Sequence, residues 1–258
     1  MKLHGMGLVC TGGATQSFVA RMPAVLARLG PIKASSFRVA RQISRALRAG
    51  QAVSHYSVLE SCPMVWFAVP DNVMNRTLRD FMAQTAIQDH MIILCDCERE
   101  STEAGRLTRA GARVASLNPI PETRDRSFVA DGHPETVRTL RRLLAEDDRK
   151  LIELQTGMKP LFFAGVRFSA PLLMPWIASA IESLRAAGLS RADAVAVAEH
   201  IGTRTLRRYI KAGDRAWNRK TAATLRHTLE HELEAIRGQD PRLSELYAKG
   251  IRIALDKF

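Results

Sequence analysis

Over its first 156 residues this chain alternates short apolar runs with amphipathic segments of helical length, and that alternation narrows the possible folds more than any other feature. Residues 8–9, 32–37, 64–69, 91–95, 113–117, 128–129 and 151–154 read as strands. Residues 16–29, 39–49, 73–84, 101–109 and 134–145 carry helical periodicity between them. Strands spaced by helices of this length predict βαβ crossovers and a mostly parallel sheet. The run Met64-Val65-Trp66-Phe67-Ala68-Val69 is apolar at every position, as a strand buried on both faces must be. From Gly157 onward the strand signals stop, and helical periodicity continues through 161–187, 191–211, 220–237 and 241–255, punctuated by Gly188, Gly213, Gly238 and Pro241. The expected architecture is an α/β domain over 1–156 followed by an all-α domain over 157–258.

The first strand runs directly into Cys10-Thr11-Gly12-Gly13-Ala14-Thr15 and then a helix. Strand, small-residue turn and helix together aim free backbone N–H groups and a helix N-terminus at a phosphate. The turn stands where a G-x-G-x-x-G dinucleotide fingerprint would, making the first domain Rossmann-like. Only Gly12 keeps its place, with Cys10 and Thr15 replacing the outer glycines. All the substitutes are small, so Thr11, Gly12, Gly13, Ala14 and Thr15 are the expected pyrophosphate cradle. An ordinary tight βα turn is the competing reading.

About 20 residues past such a loop, NAD-binding folds place an acid that holds the ribose hydroxyls. Here that region reads Ala34-Ser35-Ser36-Phe37-Arg38, with Arg41 three residues on and no acid. Hydroxyl donors and cationic forks without a carboxylate suit a 2′-phosphate, so Ser35, Ser36, Arg38 and Arg41 favour NADP over NAD. The bland alternative is that both arginines are solvated helix positions. Val69-Pro70 and Asn118-Pro119 end two further strands at the same edge, where a nicotinamide and its ribose would rest. Asp71, next to Pro70, reads as a helix N-cap. Lys159 follows the last strand and opens the first long helix, a place from which it could polarise a carbonyl or bind an anionic substrate.

Charge points the same way. The formal net charge is +12, with six basic residues and no acid between Arg28 and Arg48, and eight against one acid between Arg204 and Arg226. Anionic partners fit: a phosphorylated cofactor and substrate, or nucleic acid. No zinc-finger, RNP-type aromatic or basic-zipper pattern accompanies the charge, which makes nucleic acid the weaker explanation. No run of about 18 apolar residues predicts a membrane span. Met1-Lys2-Leu3-His4-Gly5 has no apolar stretch of secretory length, and Cys10, Cys62, Cys95 and Cys97 read as reduced core thiols, so a cytoplasmic protein is expected. Cys95-Asp96-Cys97 is spaced too closely for a usual zinc pair, and His227 with His231 lacks a third ligand, so no metal site is expected.

The order and spacing of these segments resemble a family of Rossmann-like proteins with a helical C-terminal domain of unknown function. That family is related to pyrroline-5-carboxylate reductase, ketopantoate reductase and the deazaflavin-dependent NADP reductases. The resemblance rests on residues 8–18, 30–49, 65–71 and 115–120, on Lys159 with Phe162-Phe163-Ala164, on Ala186-Ala187-Gly188-Leu189 and on Ala216-Trp217. It implies a dinucleotide cleft and a homodimer formed through the helical domain. The chain departs from the family's pattern where it matters chemically. Relatives tend to have a fuller glycine loop, often a His where Asn118 stands, Tyr-His near Phe162-Phe163, and Gly-Pro where Asn218 is followed by Arg219-Lys220.

Three readings follow. The first is an NADP-dependent oxidoreductase acting on a small, anionic substrate, with Lys159 and Asn118 as its candidate catalytic residues. Its cofactor contacts would be Thr11, Gly12, Gly13, Ala14, Thr15, Ser35, Ser36, Arg38, Arg41, Val69, Pro70 and Pro119. The second is a non-catalytic nucleotide-binding or sensing protein on the same fold. The third, nucleic-acid binding through the Arg204–Arg226 segment, rests on charge alone.

Overall fold

A computed structural model of the chain describes residues 5–12, 19–95, 104–121, 126–216, 231–238 and 240–257. The chain divides into two compact units, Met1–Val166 and Arg167–Phe258.

The first unit is built on one eight-stranded sheet in the order β3-β2-β1-β4-β5-β6-β7-β8. The strands are β1 (Met6–Cys10), β2 (Leu29–Lys33), β3 (Gln51–Val53), β4 (Met64–Ala68), β5 (Met91–Cys95), β6 (Arg113–Pro119), β7 (Ser127–Gly132) and β8 (Lys150–Glu153). From β3 across to β6 every pairing is parallel; β7 runs antiparallel to β6, and β8 is parallel to β7. Helices cover both faces. On one side lie α1 (Pro23–Leu26), α2 (Phe37–Leu47) and α5 (Pro134–Glu146), which pack Val25, Ile43 and Leu140 against Leu8, Trp66, Ile93 and Leu117. On the other lie α3 (Asp71–Met82), α4 (Ala104–Arg109) and the 3₁₀ turn Tyr56–Ser61, which pack Leu78, Phe81, Leu107 and Leu59 against Val9, Val65, Phe67 and Ile92. Alternate residues of β4 therefore serve two different cores, which explains why its whole run is apolar. This doubly wound sheet is the α/β architecture expected from the alternation.

Three local features differ from the sequence expectation. The second strand spans Leu29–Lys33 rather than 32–37, because β1 pairs Met6 with Leu29 and Leu8 with Ile32, leaving one extra residue on β2 at Gly30-Pro31. That pair marks a bulge, where a proline without an N–H is tolerated, and not the end of a helix. Ser36 then caps α2, its Oγ accepting from the Val39 N–H at 3.2 Å. Strand β3 had no sequence signal, being three residues at the sheet edge with Gln51 exposed. Asp71 is the first residue of α3 rather than its cap; Pro70 holds the cap position, and Asp71 lies in the first turn, where a carboxylate complements the helix dipole.

The second unit is helical where described: α7 (Met174–Ala186), α8 (Arg191–Ala212) and α9 (Pro241–Lys257), with residues 231–238 also helical. The helix expected over 161–187 is two helices, α6 (Lys159–Ser169) and α7, separated at 170–173. Pro171 explains the break, since its ring removes an N–H and clashes with the preceding turn. Residues Lys159–Ala186 are together long and apolar enough, by composition, to cross a membrane, and only 6% of that apolar window is buried. No residue of α7 is buried. Ser190 caps α8, accepting from the Asp193 N–H while donating to its carboxylate. Gly250 lets α9 lie against the Trp176 indole, which a Cβ there would meet at 2.5 Å.

Candidate functional site

Parallel pairing brings the carboxyl ends of β1, β2, β4, β5 and β6 to one edge of the first unit. Cys10 pairs with Ala68, Val9 with Lys33, Phe67 with Leu94 and Cys95 with Leu117. The next residue along each strand therefore falls on a single line. Thr11, Val69 and Asn118 lie there directly, with Ser35 two residues beyond Lys33. β1 leads to a crossover in one direction and β4 to a crossover in the other, so the line passes over the topological switch point, where open α/β sheets leave a crevice. Thr11, Ser35, Val69 and Asn118 thus lie along one edge although they are scattered between positions 11 and 118.

Gly12 is the described part of the expected cradle. Its φ of +154° lies where side chains are strongly disfavoured, and among the described residues a Cβ would meet nothing within 4 Å. Gly13, Ala14 and Thr15 lie outside the described residues. Cys10, in place of the fingerprint's first glycine, points into the core beside Leu8 and Ala68. Burial pushes its thiol up to about 12, and Cys62 is raised by the same cause, so neither is a thiolate nucleophile near neutrality. Cys95 is also buried, with its Sγ 3.9 Å from the Ile93 carbonyl oxygen; Cys97 lies outside the described residues.

At the end of β2, Ser35 and Ser36 are exposed, and the Ser36 oxygen is engaged as the cap of α2. Arg38 and Arg41 are exposed on α2 and make no hydrogen bond or ion pair among the described residues. Lys33, which sequence reasoning had counted only as part of the basic run, is half-buried at this same strand end. Its Nζ donates to the Ala34 carbonyl at 2.6 Å and sits 4.8 Å from the centre of the Tyr56 ring. Burial lowers its pKa, opposed by the Asp80 carboxylate acting through space. The available signal was a lysine closing an otherwise apolar strand.

Val69 is buried and Pro70 exposed at the end of β4. Asn118 is 1% exposed in β6, opposite Val129, and among the described residues neither its Oδ1 nor its Nδ2 has a hydrogen-bond partner. A buried carboxamide in that condition costs the fold about 1–3 kcal/mol per unsatisfied group. Two positions back on the same strand, Ser116 donates to Asp131 of β7. Pro119, half-buried, closes β6 opposite Phe128. Lys159, the first residue of α6, is 2% exposed and has no hydrogen bond or ion pair among the described residues. A buried polar side chain without an acceptor carries a desolvation cost, so among the described residues Asn118 and Lys159 are polar groups that the fold itself does not satisfy.

A separate open groove of about 540 Å³ runs along α8 in the second unit, lined by Ala196, Glu199, His200, Thr203, Arg204 and Arg207. Every lining residue belongs to one helix and none is buried, so the groove is a furrow between side chains. It offers no backbone donors and no buried polar group, and the sheet edge is the better site on both counts. Among the described residues, no group of three or more His, Cys, Asp or Glu side chains could hold a metal. The Arg204–Arg226 segment beyond Ala216 lies outside the described residues, as does His227.

No protein-family profile and no curated protein matches the sequence. Solved structures do match. A Bacteroides fragilis protein assigned as an NADP oxidoreductase superposes with a TM-score of 0.73 at 11% identity, covering 99% of both chains. An imine reductase from Streptomyces aurantiacus gives 0.65 at 16% identity, covering 97% of this chain and 94% of its own. A Plasmodium falciparum pyrroline carboxylate reductase with NADP bound gives 0.53 at 12% identity, covering 99% of both chains. The chain therefore shares the fold of these reductases, a Rossmann-type sheet domain followed by a helical region.

Proposed function

We propose that this protein is an NADP-dependent oxidoreductase acting on a small, anionic substrate. The observation that carries the reading is Asn118: a carboxamide buried at the carboxyl edge of a doubly wound sheet with both polar atoms unsatisfied. A fold tolerates that cost where a ligand supplies the missing partners. A nicotinamide carboxamide, with one acceptor and two donors, is complementary to it. Gly12, at a φ of +154° that only glycine adopts readily, suits a close backbone approach to a pyrophosphate. The fold likeness to reductases, one of them holding NADP, supports the same cofactor.

In this reading residues 11–15 receive the pyrophosphate, and Ser35, Ser36, Arg38 and Arg41 surround the 2′-phosphate. Val69, Pro70, Asn118 and Pro119 line the nicotinamide end. NADP, when bound, supplies or accepts a hydride. Asn118 fixes the orientation of the ring by hydrogen-bonding its amide. Lys159 contributes a positive charge and N–H donors to an anionic substrate or to the carbonyl oxygen where negative charge develops. The net charge of +12 favours substrates of that sign.

We further propose a homodimer joined through the helical unit. Ile177 on α7 and Ile201, Leu206 and Ile210 on α8 are exposed apolar side chains. Apolar exposure on this scale marks an association surface. A second copy is the preferred occupant over a lipid bilayer, because Pro171 breaks the Lys159–Ala186 stretch and Arg167, Glu182 and Arg185 charge it.

The alternative, a nucleotide sensor without turnover, is favoured by Asn118 standing where relatives often carry a His. One experiment separates the two: NADPH oxidation followed optically against a panel of cyclic imines and keto acids. Turnover with any member supports the oxidoreductase; tight NADPH binding with none supports the sensor.

A further inference from the structure

Lys33 stands at the carboxyl end of β2 in a condition unlike that of any arginine nearby. Its Nζ is held from two sides, by the Ala34 carbonyl at 2.6 Å and by the face of Tyr56 at 4.8 Å. Tyr56 is itself fixed, edge-on to Phe81 at 5.9 Å, and Phe81 is edge-on to the buried Phe67 at 5.1 Å. No carboxylate lies within ion-pair distance of Nζ among the described residues; Asp80 acts on it only through space. The ammonium is thus half-buried, immobilised and not neutralised by a contact partner among the described residues, two residues before the exposed hydroxyl of Ser35. One of its three N–H groups is used by Ala34, which leaves two for an acceptor. Arg38 and Arg41, by contrast, are exposed and unanchored, and holding a long side chain in one geometry costs rotamer entropy.

We propose that Lys33, positioned by Tyr56, is the cation that selects the 2′-phosphate of NADP, with Ser35 and Ser36 as neighbouring hydroxyl donors. This rests on the NADP reading above. It assigns the selection to the strand end and leaves Arg38 and Arg41 as outer charges that add little. A preorganised ammonium in a partly desolvated position gains more from a dianion than a solvated guanidinium does. Tyr56 touches no ligand in this account and acts only through Lys33.

The test is calorimetric titration of wild-type protein, Lys33→Gln and Lys33→Arg with NADPH, NADH, adenosine 2′,5′-bisphosphate and adenosine 5′-monophosphate. The expected result is that Lys33→Gln weakens NADPH and the bisphosphate by about tenfold, one charge-assisted hydrogen bond, while NADH and the monophosphate stay within about twofold. Lys33→Arg should keep most of the preference. If Lys33→Gln retains the full preference for the 2′-phosphate, or weakens all four ligands alike, the assignment is wrong while the NADP reading stands. If wild-type protein binds neither dinucleotide, the NADP reading fails and takes this one with it. Should Lys33→Gln not fold, reductive methylation of the wild-type protein answers the question. The bisphosphate should shield Lys33 and the monophosphate should not; equal shielding, or none, overturns the proposal.

Discussion

The carboxylate of Asp147 accepts the main-chain N–H of Ala24 through both oxygens, at 3.0 and 3.2 Å, across 123 residues of sequence. Ala24 lies in the first turn of α1, whose N-cap residue Met22 provides no side-chain cap. Asp147, just past α5, supplies that cap from a distance and ties α1 to the end of α5 on the same side of the sheet. Replacing Asp147 with Ala leaves an N–H of the first turn unpaired and should cost about 1–2 kcal/mol. Urea denaturation of the variant checks this; an unchanged midpoint would mean that solvent satisfies Ala24 equally well.

Asn118 separates stability from function. Because both its polar atoms are buried without partners among the described residues, Asn118→Leu should leave the melting temperature unchanged or raise it, the apolar side chain removing about 1–3 kcal/mol of desolvation penalty. The same change should abolish reduction and weaken NADPH binding. A variant that melts lower and still binds NADPH normally would show that the amide serves the fold.

How much of this was legible in the sequence depended on whether a residue's role was local. The strands at Met64–Ala68 and Met91–Cys95 announced themselves because residues buried on two faces must be apolar at every position. The end of β2 did not, because Gly30-Pro31 forms a bulge that is defined only by the neighbouring strand. The break at Pro171 was hidden, because apolar periodicity runs on through both sides of it over 161–187. At the site, Thr11, Ser35, Val69 and Asn118 were legible from their place after strands. Lys33 was not, since its significance comes from Tyr56 and Ala34 meeting around it in space.

Gly132 closes β7 at a φ of +126°, and a Cβ there would lie 2.5 Å from the Val114 carbonyl oxygen of β6. Gly132→Ala should therefore be among the most damaging small substitutions, costing on the order of 3 kcal/mol by combining backbone strain with a clash against main chain. Thermal denaturation with circular dichroism measures it. A loss below about 1 kcal/mol would mean that the β6–β7 pair shifts freely to accommodate the methyl group.

Cys10 makes the fold sensitive to alkali. Burial raises its pKa to about 12, above the ordinary thiol value, so the folded chain retains a proton that the unfolded chain releases. The stability this provides is complete below the ordinary thiol range and is lost as pH climbs through it toward about 12. Cys10→Ala should flatten the fall in melting temperature over that window. Native protein should also leave Cys10 unmodified by iodoacetamide; rapid labelling would contradict its burial.

The exposed apolar residues of α7 and α8 predict a particle of twice the 28.6 kDa chain mass by light scattering at micromolar concentration. Ile210→Glu, at a position 72% exposed, should shift the particle toward monomer with its sheet domain intact.

The most direct measurement is a calorimetric titration of NADPH into the wild-type protein. Saturable binding of one NADPH per chain, tighter than NADH and weakened in Asn118→Leu, is the predicted result. No binding of either dinucleotide up to about 1 mM, the weak end of specific affinities, would contradict the account at its centre.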